Sequence, residues 1–149
     1  MTISLFTDEA FMRQALQEAK YAYEHDEVPV GAIVVCNNQV IAKASNATEQ
    51  LTDVTAHAEM QALTAAMDYL GSKYLRDCTL YVTLEPCTMC AGALYWSQIG
   101  RIVYAAPDEK RGFRIHAGKV LHPSTKLAAG VLKEESQKLI QSFFQKKRK

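Results

Sequence analysis

Two short motifs constrain this chain more than anything else in it. Thr55-Ala56-His57-Ala58-Glu59 sets a histidine and a carboxylate two residues apart at the start of an apolar run. Glu85-Pro86-Cys87-Thr88-Met89-Cys90 sets two cysteines three apart, directly after a proline that ends a strand-like run. One imidazole and two thiols supply three of the four ligands of a tetrahedral zinc ion. A zinc with one position left open is catalytic, whereas a structural zinc is closed. Any fold that uses both motifs must therefore bring residue 57 against residues 87 and 90.

The spacing indicates how. Residues two apart on a helix face different sides, so His57 and Glu59 share a site only where the helix points its N-terminal end at it. Side chains of the first turn tilt toward that end and can ring one point. Cys87 and Cys90 share a helical face. Pro86 is expected to begin their helix, where its missing N–H costs nothing. Two helix N-termini then converge on one ion, and their partial positive charge favours thiolates. Two thiolates and a neutral imidazole balance one Zn²⁺, which leaves Glu59 free to move protons. A closed site would need a fourth ligand from Cys36, Cys78, His25, His116 or His122, and none has motif spacing.

At 149 residues, 48% hydrophobic and 22% charged, the chain is expected to form one ordinary domain, residues 1–149, with a proper core. Its net charge of +1 excludes a polycation. No leader pattern and no membrane-length apolar run stand out, and Cys36 and Cys78 are isolated in strand-like settings. The expectation is a cytoplasmic protein with free thiols and no membrane association.

Thr7, followed by Asp8 and Glu9, reads as a helix start, with Phe11, Met12, Ala15, Leu16, Ala19 and Ala22 at helical spacing behind it. His25-Asp26-Glu27 reads as a solvated loop. Val30–Cys36 and Gln39–Ala44 read as a hairpin turning at Asn37-Asn38. The His57 helix shows Met60, Leu63, Ala66, Met67 and Leu70 on its apolar side and stops at Gly71. Thr79–Leu84, a nearly continuous apolar run, reads as a central strand. The Cys87 helix runs to about Ser97, Arg101–Ala105 is a fourth strand, and a short fifth is expected near Leu127–Leu132. Residues 106–124 carry no legible pattern. A last helix begins near Leu132 or Lys133, with Leu139, Ile140, Phe143 and Phe144 on one face. This order describes a three-layer α/β/α fold around a mixed sheet.

The His-x-Glu and Pro-Cys-x-x-Cys pair is the known signature of zinc nucleobase deaminases. Together with Glu27-Val28-Pro29-Val30-Gly31-Ala32, Thr79-Leu80-Tyr81-Val82-Thr83-Leu84, Met89-Cys90-Ala91-Gly92-Ala93 and Ile99-Gly100-Arg101, the sequence resembles the bacterial tRNA-specific adenosine deaminases along nearly its whole length. The resemblance implies a cytidine deaminase-like fold, a homodimer, one Zn²⁺ per chain and hydrolytic conversion of adenosine to inosine at the wobble position of a tRNA anticodon stem-loop. It implies His57, Cys87 and Cys90 as zinc ligands and Glu59 as the proton shuttle working with a zinc-activated water. It implies Asn46, Asp108 and Phe144 as substrate contacts. After Lys110 the chain departs from the family's usual Gly-Ala-x-Gly-Ser type of segment and reads Arg111-Gly112-Phe113-Arg114-Ile115-His116-Ala117-Gly118.

Bland readings stand beside these. Asn46 and Asp108 are also ordinary turn residues, and Phe144 could belong to the core with Phe143. Lys146–Lys149 could be a solvated end or a phosphate contact. His116, His122, Trp96, Cys36 and Cys78 read as structural. The rival functions are a deaminase of a free base or nucleoside, such as guanine or cytosine, and a non-catalytic zinc- or RNA-binding partner.

Overall fold

In the computed structural model, which describes residues 5–148, Thr7 caps the first helix as its sequence requires, accepting the Ala10 amide on its hydroxyl. That helix, α1 (Asp8–Glu24), buries Phe11, Met12, Ala15, Leu16, Ala19 and Ala22, the stripe its periodicity set out. The hairpin follows: β1 (Gly31–Cys36) and β2 (Gln39–Ser45) turn through Asn37 and Asn38, both with positive φ, as a tight hairpin demands. Then come α2 (Ala58–Leu70), β3 (Cys78–Leu84), α3 (Thr88–Ser97) and β4 (Arg101–Ala106). A four-residue helix α4 (Phe113–His116), strand β5 (Lys126–Ala129) and helix α5 (Lys133–Lys147) complete the chain.

The five strands lie in the order β2-β1-β3-β4-β5, with β3 at the centre. β1 is antiparallel to β2 and β3, while β3, β4 and β5 run parallel, so the sheet is mixed. Strand alternation divides the core between the two faces. Ala32, Val34, Leu80, Val82, Ile102 and Tyr104 pack with α2 and α3. Ile33, Val35, Tyr81, Val103 and Ala105 pack with α1 and with Leu132 at the start of α5. The result is the expected three-layer α/β/α arrangement. Gly31 lets α1 lie close on β1: a Cβ there would meet the Ala15 carbonyl oxygen at 2.1 Å.

Several expectations need correction. Met60 is only half-buried and Leu70 is exposed; Ala58, Glu59 and Ala62 are buried, because the N-terminal end of α2 is packed into the protein while its last turn is exposed. Trp96, read as structural, is 76% exposed. Glu27 is not solvated. It is buried, and its carboxylate accepts the Glu49 and Gln50 amides, tying the loop after β2 to the end of α1. Pro86 does not begin α3; Cys87 is the N-cap and Pro86 precedes it. Cys36 and Cys78 are direct cross-strand partners and both are free thiols. Among the described residues no helix is long and apolar enough to cross a membrane.

Candidate active site

The parallel strands β3 and β4 end side by side, and in such sheets ligands collect beyond the carboxyl ends of the strands. β3 delivers Glu85-Pro86-Cys87 there, and β4 delivers Pro107-Asp108. The N-terminal ends of α2 and α3 meet at the same place. Their N-cap positions are His57 and Cys87, both extended, and neither side chain makes a capping hydrogen bond. Ser, Thr, Asp or Asn there would typically stabilise each helix by about 1 kcal/mol more. The two side chains are thus left free for other partners, beside unsatisfied helix N–H groups.

His57 Nδ1 lies 3.6 Å from Cys87 Sγ and 3.5 Å from Cys90 Sγ. Tetrahedral zinc with ordinary Zn–S and Zn–N bonds sets its nitrogen and sulfur ligands about 3.6 Å apart. All three ligand atoms fall within 4.8 Å of one another, so the donor set fits one zinc ion without rearrangement. The chemistry agrees. The Cys87 thiol is drawn down to about 4, first by the hydrogen bond from Cys90 and then, against the penalty of burial, by His57. The Cys90 thiol is pushed up by the neighbouring Cys87 sulfur and by burial. The hydrogen bond to Cys87 raises the His57 imidazole. Without a metal the cluster retains protons that a zinc ion displaces from its thiolate and imidazole ligands.

Glu59 is the second residue of α2 and is 4% exposed. Burial pushes its carboxyl up to about 7. A group poised there can both take and give a proton at neutral pH. Glu59, His57 and Cys87 line a cavity of about 400 Å³, with Val28, Val30, Asn46, Thr48, Leu84, Glu85, Asp108 and Arg111 around them. The Asn46 amide nitrogen donates to the Val28 carbonyl, which fixes the orientation of the amide. Its Oδ1 is buried without a hydrogen-bond partner, the one such side-chain atom among the described residues. An unpaired buried acceptor on a cavity wall is what a ligand donor satisfies.

A second cavity, of about 650 Å³, adjoins the first and shares Val28, Leu84, Asp108 and Arg111 with it. Lys110, Gln141, Phe144 and Arg148 line its far side. Phe143 is buried at 5% while Phe144 stands 43% exposed, so the two rings of α5 divide between core and cleft. The basic end divides too. Lys147 pairs with Asp26 and Lys146 lies over the Tyr23 ring, whereas Arg148 reaches the cleft; Lys149 lies outside the described residues. Asp108 accepts the Lys110 and Arg111 amides on Oδ1, an Asx-type turn, and also lines both cavities. The structure therefore gathers His57, Glu59, Cys87, Cys90, Asn46 and Asp108 at one place, with Phe144 in the adjoining cleft. Sequence reasoning missed Arg111, Thr48 and the two buried carboxylates Glu27 and Glu85. The signal for Glu85 was a carboxylate at the end of an otherwise apolar strand.

A mixed sheet with two helix N-termini meeting around one His, two Cys and a buried Glu defines the class of zinc-dependent nucleobase deaminases. Residues 6–106 match the cytidine and deoxycytidylate deaminase zinc-binding region. The tRNA-specific adenosine deaminase of Aquifex aeolicus is 46% identical over 145 residues, covering 94% of this chain and 95% of the relative. A solved structure from work on A-to-I editing by tRNA:A34 deaminases superposes with a TM-score of 0.82 at 42% identity, covering 87% of this chain and 97% of the other. The guanine deaminase of Bacillus subtilis is more distant, with a TM-score of 0.65 and 37% identity over 68% of this chain and 65% of its own. The chain belongs to the tRNA-specific adenosine deaminase family.

Proposed function

We propose that this protein, folded as a single domain, converts adenosine to inosine at the wobble position of a tRNA anticodon by hydrolytic deamination. The observation that carries the choice of substrate is the continuity of the two cavities. The pocket holding Glu59 is large enough for one nucleoside, and it opens into a larger cleft with an aromatic ring and basic side chains. A free base leaves that cleft unused; a strand of RNA fills it.

His57, Cys87 and Cys90 hold the zinc. When bound, zinc supplies a water activated at neutral pH. With that water in place, Glu59 would take one of its protons and pass it to N1 of the adenine as the water oxygen bonds to C6. It would then take the proton of the new C6–OH and pass it to the amine as the C6–N6 bond breaks, so that ammonia leaves. The walls of α2 and α3 keep the carboxyl out of bulk water, which maintains its raised proton affinity between the two transfers. Asn46 Oδ1 accepts an N–H or O–H of the nucleoside. Asp108 and Arg111 flank the splayed nucleotide, and Phe144 stacks on a neighbouring base. A single-stranded loop yields its base more readily than a duplex would.

Two predictions address these contacts. Asn46→Ala removes the unpaired acceptor and should lower kcat/KM by about tenfold, the worth of one hydrogen bond to a buried group. Normal kcat/KM in that variant would remove Asn46 from the site. Phe144→Ala should raise KM for the RNA by about five- to hundredfold while leaving zinc content intact, as loss of one stacking partner does. An unchanged KM would return Phe144 to a purely structural role.

The homodimer reading is supported by family membership and by exposed aromatic side chains: Tyr95 and Trp96 on α3, with ring centroids 5.3 Å apart, and Tyr69 on α2 are all exposed. A tRNA substrate supports a cytoplasmic reaction. The function is tested by giving the zinc-loaded protein an anticodon stem-loop with a wobble adenosine, alongside free guanine, cytosine, adenosine and cytidine. Inosine in the RNA, suppressed by salt, is the expected result. Ammonia from guanine with no inosine would move the chain to the branch of its guanine deaminase neighbour. Zinc and RNA binding with no product in any arm would make it a non-catalytic partner.

A further inference from the structure

Glu85 is a carboxylate the reaction does not use, yet it is 2% exposed. One oxygen accepts the Asp108 amide at 3.0 Å and pairs with the Arg114 guanidinium at 2.9 Å. The other accepts the Arg114 amide at 3.0 Å. Burial alone would raise this carboxyl, but the Arg114 guanidinium and the two amides outweigh it and hold it below its ordinary value. Its partners bracket segment 108–114 at both ends. Between them, Gly112 lies on the carboxylate itself: a Cβ there would meet the carboxyl carbon and one oxygen at 2.4 Å. Gly112 has φ −63, which any residue adopts, so closeness to Glu85 and not backbone freedom calls for glycine. The same segment pairs with the zinc-ligand strand end through a Cys87–Gly112 bridge and a Phe113 amide bonded to the Pro86 carbonyl. It carries Asp108 and Arg111 into both cavities.

We propose that Glu85 is a positioning residue: it clamps segment 108–114 over the mouth of the zinc pocket and thereby sets how tightly the substrate is held, without taking part in the chemical step. This rests on the deaminase reading of the site. The clamp acts on a wall of the pocket and on none of the groups that move protons, so it governs KM more than kcat. Within the 111–118 stretch, Gly112 and Arg114 answer to this buried carboxylate.

Three variants of the full zinc-loaded chain test this. Glu85→Gln offers one acceptor oxygen in place of two, so one of the two amide bonds is lost. Gly112→Ala changes no charge and pushes the segment off the carboxylate. Arg114→Met removes the ion pair and keeps both amide bonds. Zinc content, kcat, KM for the stem-loop and hydrogen exchange at the Asp108 and Arg114 amides are measured on each. In Glu85→Gln and Gly112→Ala, KM should rise about tenfold with kcat within about threefold of wild type. Zinc should stay at one per chain, and one or both amides should exchange faster. Arg114→Met should fall between these variants and wild type. A merely structural role would lower kcat or zinc content and leave KM alone. Unchanged KM, or unchanged exchange at both amides, overturns the proposal. Should Glu85→Gln fail to fold, the other two variants decide. A wild-type protein that turns over only free guanine overturns the tRNA reading, and the same KM measurement made with guanine then decides the role of Glu85.

Discussion

Glu59→Ala should keep its zinc and lose about four orders of magnitude in turnover, the upper range for a single positioned acid–base group. The loss falls on kcat, because Glu59 moves protons and does not hold the metal. The ligand atoms come from His57, Cys87 and Cys90, with nitrogen–sulfur distances of 3.5–3.6 Å, and Glu59 contributes none of them. The variant should also melt no lower than wild type. A buried carboxyl raised to about 7 is a group the fold desolvates at a cost, and removing it relieves that cost. Loss of activity with unchanged or increased stability separates a proton shuttle from a structural residue. Atomic absorption for zinc, single-turnover rates and a melting curve on one preparation suffice. An active Glu59→Ala enzyme would dismiss Glu59 from the mechanism.

Cys87→Ala should lose zinc, activity and stability together. Cys87 is one of three ligands and also the N-cap of α3, so its loss opens the metal site at the point where two helices meet. Zinc present at about a thousand times its Kd stabilises the fold by about 4 kcal/mol through mass action. For a chain of this size that corresponds to about 10 °C in Tm. A chelator should therefore bring wild type down to the melting point of Cys87→Ala and leave the variant where it was. Normal zinc content in the variant, or a chelator effect equal in both proteins, contradicts the ligand set.

What could be read from the chain and what could not divides along the range of the forces involved. α1, the hairpin, β3 and β4 announce themselves because their stripes and alternations are set by neighbours within a few residues. The Asn37-Asn38 turn and the Gly71 stop likewise depend on local φ alone. The ligand set was legible because zinc imposes residue types at fixed spacings. Asn46 was legible only by likeness to a family; its unpaired Oδ1 is a fact of packing. Glu27 and Glu85 were opaque for the opposite reason. Each is buried by segments 20 to 30 residues away, through backbone amides that carry no side-chain signature. Helix α4 was missed because its four residues sit on a glycine held by Glu85, and no local pattern encodes that. Trp96 reads as structural from the sequence, yet it stands exposed on α3, and an apolar helix gives no local signal of which of its residues stay outside the core.

The central claim is hydrolytic deamination of one adenosine by this His–Cys–Cys–Glu site. It is tested most directly by running the reaction in water enriched in heavy oxygen on an intact tRNA that carries a wobble adenosine, then locating inosine by sequencing and weighing it. The account predicts inosine at the wobble position alone, one heavy oxygen in each base converted, and one ammonia released. Inosine spread over other adenosines of the loop, or inosine without the heavy label, would contradict it.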